Sequence, residues 1–284
     1  MNKFGIGQPV RRVEDQRFTT GRGRYVEDIN LPRQAYGAVV LSPHAHARIR
    51  RVDVSRALAA QGVICVLTGA DAVKDRLGGF SPAFMPEDMG GPKGYRTLRP
   101  VLVSDRVRCA GDRVAFVVAE SAAQARDAAE LVRVEYEPLP AVVTVEDAVK
   151  EGAPKVWDDC PTGNVSVGLM FGNREATDAA FAKAKHVVSL RLENNRLSAN
   201  SMEPRGAIGD YDPADGSYTL YTSTQNPHGA RMELAHGVFH LPESKFRVIG
   251  PDVGGGFGMK GDTYPEEALV LWASRRSGRP VKWI

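Results

Sequence analysis

Between Pro251 and Gly261 the sequence reads PDVGGGFGMKG, with Gly254, Gly255, Gly256 and Gly258 set around Phe257. Glycines leave backbone N–H groups uncovered by side chains, so such a loop can approach a ligand closely or form a concave set of donors. A plain surface turn is the competing reading, and Phe257 argues against it because a bulky ring among glycines needs a packing partner. Gly256, Gly258 and Gly261 also satisfy the G-x-G-x-x-G spacing of dinucleotide-binding loops. In that fold the glycines open the helix directly. Here Pro265 sets the helix start beyond the third glycine, and the acidic ribose ligand would fall about where the sequence stops. GMKG also lacks the GK[ST] of a phosphate-binding loop.

A second polar cluster, STQNPHG at Ser223 to Gly229, ends an apolar run just before a helical pattern. Gln225 offers one acceptor and two donors, and at a strand end it can point into a cleft shared with the glycine loop. Asn226 equally suits a helix N-cap, and the two roles are compatible. In NSMEPRGAIGDYDP, Glu203 and Arg205 stand close together; a pair of this kind is more often structural than catalytic. His236 and His240 share a face at helical spacing, but Gly-Val-Phe between them lacks the glutamate of a hydrolytic zinc helix. His44 and His46 would point to opposite faces of a strand, and no Ser-His-Asp set is recognisable. Catalytic and metal-ligating residues are therefore expected to be absent from this sequence.

These candidates need a scaffold of both element types, an α+β chain. In the first half AYGAVVLS, VDV and GVICVLTG read as strands, with SRALAAQ a short helix capped by Asp53 or Ser55. RVAFVVAE, SAAQARDAAELV and VRVEYEPL read as strand, helix and strand, a βαβ unit. The first dozen residues and the stretch from Arg17 to Pro32 read as an extended, turn-rich lead-in over a surface, and Gly78 to Tyr95 as a long excursion packing on another element or subunit. Pro138 and Pro140 break the pattern, placing a domain boundary near Val145, with units 1–145 and 146–284 and a core in each. Beyond it EATDAAFAKA is a helix, HVVSLRLEN, SYTLYTSTQ and KFRVIG are strands, and HGARMELAHGVF is a helix. DTYPEEALVLWASRR is a helix with Pro265 in its first turn, and RPVKWI starts a last strand. A sequence that stops inside an apolar strand is expected to be a fragment of a longer protein.

Bulk properties narrow the function classes. With 284 residues, 43% hydrophobic and 25% charged, the composition is globular. The formal charge of +3 is dispersed, without the basic blocks that nucleic-acid binding would need. Cys65, Cys109 and Cys160 lie too far apart for a CxxC site, and their odd number suits a reducing compartment. Met1 to Arg12 carries no export signal and no apolar run reaches the length of a membrane span, so a cytoplasmic protein is expected.

Taken together, GQPVRRVEDQRFTTGRGRYVEDINLP, LSPHAHARI, GDRVAFVVAES, MEPRGAIGDYDP, STQNPHG and DVGGGFGMK resemble, in order and across essentially the whole chain, the molybdopterin-binding subunit of the xanthine oxidase/aldehyde oxidase family. The form most like it is the large subunit of aerobic carbon-monoxide-dehydrogenase-like enzymes. The resemblance implies an α/β hammerhead domain over 1–145, then the first part of a molybdopterin cofactor-binding domain over 146–284. It implies an oxidoreductase that hydroxylates an aldehyde, an N-heterocycle or carbon monoxide with oxygen from water. Electrons would pass to a small 2Fe-2S subunit and a medium FAD-binding subunit, in a dimer of heterotrimers, and the cofactor would be of the cytosine dinucleotide form. By the same resemblance Gln225 matches the glutamine that hydrogen-bonds an oxo ligand of molybdenum. Phe257 and Gly258, with Gly255 and Gly256, match the backbone that approaches the cofactor. Gly261 stands where purine-oxidising members carry a substrate-binding glutamate, which argues against a xanthine-type substrate. The family's general base and copper-bound cysteine lie beyond residue 284, so this chain alone is expected to be inactive. The alternatives are a non-catalytic or remnant assembly module and a nucleotide-binding enzyme.

Overall fold

The computed structural model describes residue 7, residues 9–82 and residues 84–284. Part of the segment in which no export signal is expected lies outside these. Among the described residues twelve strands are formed: β1 (Ala35–Leu41), β2 (Ala47–Asp53), β3 (Val63–Thr68), β4 (Gly79–Phe80), β5 (Arg99–Pro100), β6 (Arg106–Val107), β7 (Arg113–Ala119), β8 (Arg133–Pro138), β9 (Ala207–Asp212), β10 (Ser217–Thr222), β11 (Phe246–Ile249) and β12 (Val281–Trp283). The largest sheet has seven strands in the order β11-β10-β9-β12-β1-β7-β3.

That sheet runs across the expected boundary near Val145. β12 pairs in parallel with β1 (Ala35↔Val281) and antiparallel with β9, so the first and second halves share one set of ladder hydrogen bonds. The main core is likewise common to both: Leu67, Phe80 and Phe116 pack with Tyr218, Leu234, Leu269 and Trp272. This corrects the expectation of one core for each half, because a sheet continuous across the boundary presents one continuous apolar face.

The apolar run RVAFVVA is β7, buried between β1 and β3 and antiparallel to both. The helix Ala122–Ala129 follows, its N-terminus capped by Ser121 and its small residues Ala125 and Ala128 buried. β8, however, pairs with β2 in a separate three-stranded sheet, so the expected βαβ unit does not close. The alternation of RVEYEP suits a sheet with one covered face, whereas β7 needs cover on both. HVVSLRLEN forms no strand: Val188, Leu190 and Leu192 are exposed on a segment without regular structure. The lead-in holds a helix, Asp15–Thr19, that its turn-rich sequence hides. The Gly78–Tyr95 excursion docks on the second half, where Gly78 N donates to Val238 O at 2.8 Å and Tyr95 N to Ser166 O at 2.8 Å.

The helix Pro265–Ser277 is buried from Pro265 through Ser274, its apolar centre Ala268 to Ala273 enclosed on all sides and its buried Glu266 and Glu267 held by polar partners. It lies so close to β9 that a Cβ on Gly209 would sit 2.5 Å from Leu271 N. Trp272 Nε1 donates to Asp75 Oδ2 at 2.7 Å, tying this helix to the first half.

Candidate functional site

β10 and β11 are parallel neighbours, with Tyr221 opposite Ile249, so their carboxyl ends emerge side by side. This is where open sheets commonly gather ligand-binding loops. The loop after β10 carries Ser223, Thr224 and Gln225; the loop after β11 is the glycine cluster. Asn226 accepts a hydrogen bond from Gly229 N at 2.9 Å and caps the helix Pro227–Met232, which fixes where the chain turns away from Gln225. That helix then widens into a π-helical stretch, Glu233–Phe239, where one helix was expected throughout.

The two loops are bonded to each other. Gly258 N donates to Gln225 Oε1 at 3.1 Å, and Gln225 N donates to Lys260 O at 2.8 Å. With its oxygen engaged, the Gln225 amide keeps its NH2 group, two N–H donors, without a hydrogen bond to the described residues. A Cβ on Gly256 would lie 2.4 Å from Gln225 Oε1, so only glycine lets the amide sit there. Gly255 (φ +97°), Phe257 (φ +52°) and Gly258 (φ +86°) are all left-handed. For Phe257 that conformation costs on the order of 1–2 kcal/mol, strain of the kind that gathers at binding sites. Phe257 does not find the packing partner its sequence context suggested. Its ring leans over Gly255 and stays 78% exposed, while the space on the outer side of Gly258 is open.

Beneath the loop lies a charged pair that the sequence did not suggest. Lys260 Nζ, fully buried, donates to Glu203 Oε2 and to Glu203 O, both at 2.9 Å. The same Oε2 accepts from Gly254 N at 2.8 Å and from Ser223 Oγ at 2.6 Å. The expected Glu203–Arg205 pair does not form. Arg205 instead reaches Glu266 at 3.1 Å and lies over the Tyr264 ring at 3.9 Å. Fifty-seven positions separate Lys260 from Glu203, and no local pattern links them; a lysine at the end of a glycine cluster is the one available signal.

The adjacent glutamates of the Pro265 helix have opposite fates. Burial pushes Glu266 up, but Arg113 at 2.6 Å, together with Arg205, outweighs it and holds the carboxyl below its usual range. Glu267 has burial without a cation in contact, and its carboxyl is raised to about 7 despite hydrogen bonds from Thr222 Oγ1 and Tyr264 N. Arg113, Arg205 and Glu266 face a cavity of about 730 Å³ lined also by Tyr36, Lys282 and Trp283.

The histidines lie elsewhere. His236 Nε2 meets Glu243 Oε1 at 3.3 Å and His240 Nδ1 meets His236 O at 3.0 Å, so the two rings do not converge. His46 Nδ1 contacts Pro140 O, and the His44 ring meets Tyr136 in a tilted contact, centroids 4.7 Å apart. Cys65, Cys109 and Cys160 are free thiols. Among the described residues no His, Cys, Asp and Glu group has the makings of a metal site, and no helix is long and apolar enough to cross a membrane.

Two family models match the chain. Residues 20–140 match the aldehyde oxidase and xanthine dehydrogenase a/b hammerhead domain, and residues 157–284 match the molybdopterin cofactor-binding domain. The carbon monoxide dehydrogenase large chain of Afipia carboxidovorans is 38% identical over 99% of this chain and 34% of its own length. The nicotine 6-hydroxylase large subunit of Paenarthrobacter nicotinovorans is 39% identical over 98% of this chain and 33% of its own. Among solved structures, quinoline 2-oxidoreductase from Pseudomonas putida 86 superimposes with a TM-score of 0.86 at 40% identity, covering 97% of this chain and 34% of that one. The chain thus spans about a third of the length of these relatives.

Proposed function

Because the chain belongs to the aldehyde oxidase/xanthine dehydrogenase family, with a hammerhead domain followed by a molybdopterin cofactor-binding domain, we propose that it forms one wall of the cofactor site in the large subunit of a molybdenum hydroxylase. The substrate is a small aldehyde, N-heterocycle or carbon monoxide. The observation that carries this reading is the pairing of Gln225 Oε1 with Gly258 N at 3.1 Å, within the region that matches the cofactor-binding domain.

The residues present fit such a cofactor. The Gln225 NH2 group and the backbone N–H groups of Gly255, Gly256 and Phe257 supply donors without adding charge, Gly258 N holds Gln225 Oε1 in place, and no side chain fills the space outside Gly258. Donors held in place before the ligand arrives cost no reorganisation when it binds or reacts. The exposed Phe257 ring is the apolar surface that would keep water off the same face. When bound, the molybdopterin group supplies the two-electron oxidation of substrate, with water as the source of oxygen. This chain orients that group rather than moving protons itself.

The cofactor is of the cytosine dinucleotide form. Electrons leave through a small 2Fe-2S subunit and a medium FAD-binding subunit, in a cytoplasmic dimer of heterotrimers. The names of the relatives, "large chain" and "large subunit", support a multi-subunit assembly.

Metal and pterin analysis of the native complex tests this. About one molybdenum and one pterin per copy of this chain, with a Gln225→Ala variant losing at least tenfold in turnover, is the expected result. A native complex with neither molybdenum nor pterin rejects the reading and leaves a non-catalytic assembly module.

A further inference from the structure

A glycine-rich loop has little to hold it still. Glycine loses more conformational freedom on ordering than any other residue, and this loop has no strand or helix hydrogen bonds between Gly250 and Thr263. Yet both its ends are bound to one carboxylate. Glu203 Oε2 accepts from Gly254 N at the loop's start and from Lys260 Nζ at its end, and also from Ser223 Oγ at the end of β10. Glu203 N donates to Gly254 O at 3.3 Å, and a Cβ on Gly254 would collide with Glu203 Cβ at 2.5 Å. On the other side Lys260 O receives Gln225 N at 2.8 Å and Thr224 Oγ1 at 3.4 Å. Among the described residues every hydrogen bond between the glycine loop and the Gln225 strand end, apart from that of Gly258 N itself, therefore runs through Glu203 or Lys260.

The pair is a poor choice for stability alone. Taking both charges out of water costs several kcal/mol per ion, offset only if the remaining lone pairs are satisfied. Here they are not: Glu203 Oε1 is buried without a hydrogen-bond partner. An arrangement that accepts such a cost fits a part whose job is to fix one geometry.

We propose that Glu203 and Lys260 are positioning residues that lock the glycine loop against the Gln225 strand end, so that Gly258 N holds Gln225 Oε1 and the Gln225 NH2 group faces the ligand. The identity of that ligand rests on the cofactor reading given above; the locking does not.

The test compares the parent complex with Glu203→Gln, Lys260→Met and the double variant Glu203→Gln/Lys260→Met. The readouts are amide hydrogen exchange at Gly256 to Gly258, and kcat against KM with the substrate that the complex turns over. Exchange in the loop should rise at least tenfold in all three while amides of β1 and β7 stay within twofold, and kcat should fall at least tenfold with KM within twofold. Should Lys260→Met fail to fold, the double variant, which strands no unpaired buried charge, decides. Loop exchange within twofold of the parent in every folded variant overturns the proposal, as does a double variant with the parent's kcat. If the parent carries no molybdenum or pterin, the cofactor reading fails and the exchange pattern alone decides the locking role.

Discussion

Two irregular segments of the second half make an instructive pair. From Val188 to Glu193 the chain alternates apolar and polar side chains and yet belongs to no sheet, with Val188, Leu190 and Leu192 exposed and Arg191 in an ion pair with the exposed Glu146. From Gly250 to Gly261 it has no such pattern, yet an ammonium, a carboxylate, a hydroxyl and backbone amides fix it from beneath. Alternation creates a strand only where a neighbouring edge offers hydrogen bonds. Buried polar side chains can hold irregular backbone in place without any ladder.

The largest expected break in that contrast is Lys260→Met, which leaves the Glu203 carboxylate buried and unpaired. It should cost about 3–5 kcal/mol in denaturant unfolding, and a loss below about 1 kcal/mol would mean the pair does not hold the loop. Next comes the helix behind the loop. Leu271→Ala removes a fully buried side chain at the contact with β9 and should cost about 2–5 kcal/mol by the same measurement.

A smaller effect separates the two glutamates. The raised carboxyl of Glu267 means the unfolded chain loses this proton near pH 4.5 and the folded chain only near 7. The folded state thus holds more protons in that window, and this site's contribution to stability falls as pH rises from about 4.5 to 7, by about 3 kcal/mol. Glu267→Gln cannot titrate. The melting temperature of the parent relative to this variant should therefore climb as pH is lowered from 7 to 5, and a constant difference would show that Glu267 titrates normally. At the other end of the scale, Leu190→Ala should change unfolding free energy by no more than about 0.5 kcal/mol, since its side chain is already in water. A cost near that of Leu271→Ala would mean that this segment is packed in solution.

Much of the scaffold was legible because single elements announce themselves. The apolar run RVAFVVA reads as a strand, and Pro265 and Gly278 bracket a helix with an apolar centre, Ala268 to Ala273. The glycine cluster and Gln225 were also legible as candidates, since bare amides and a strand-end amide are local properties. Phe257 was misjudged for the same reason: an isolated ring among glycines suggests packing, and only the fold could leave it exposed over Gly255. The βαβ reading failed because strand identity says nothing about which sheet a strand joins. β7 and β8 are consecutive in the chain but lie in different sheets.

What the sequence determined by itself is the kind of element at most positions and, through motifs in a fixed order, the family. Periodicity, caps and glycine clusters act over a few residues, so they are written locally. What only the tertiary structure decided are the pairings across long separations: β12 beside β1, Glu203 with Lys260 rather than with Arg205 two residues away, and Glu267 without a cation in direct contact, unlike its neighbour Glu266. Each depends on where burial places a charge or an edge, and burial belongs to the folded chain as a whole.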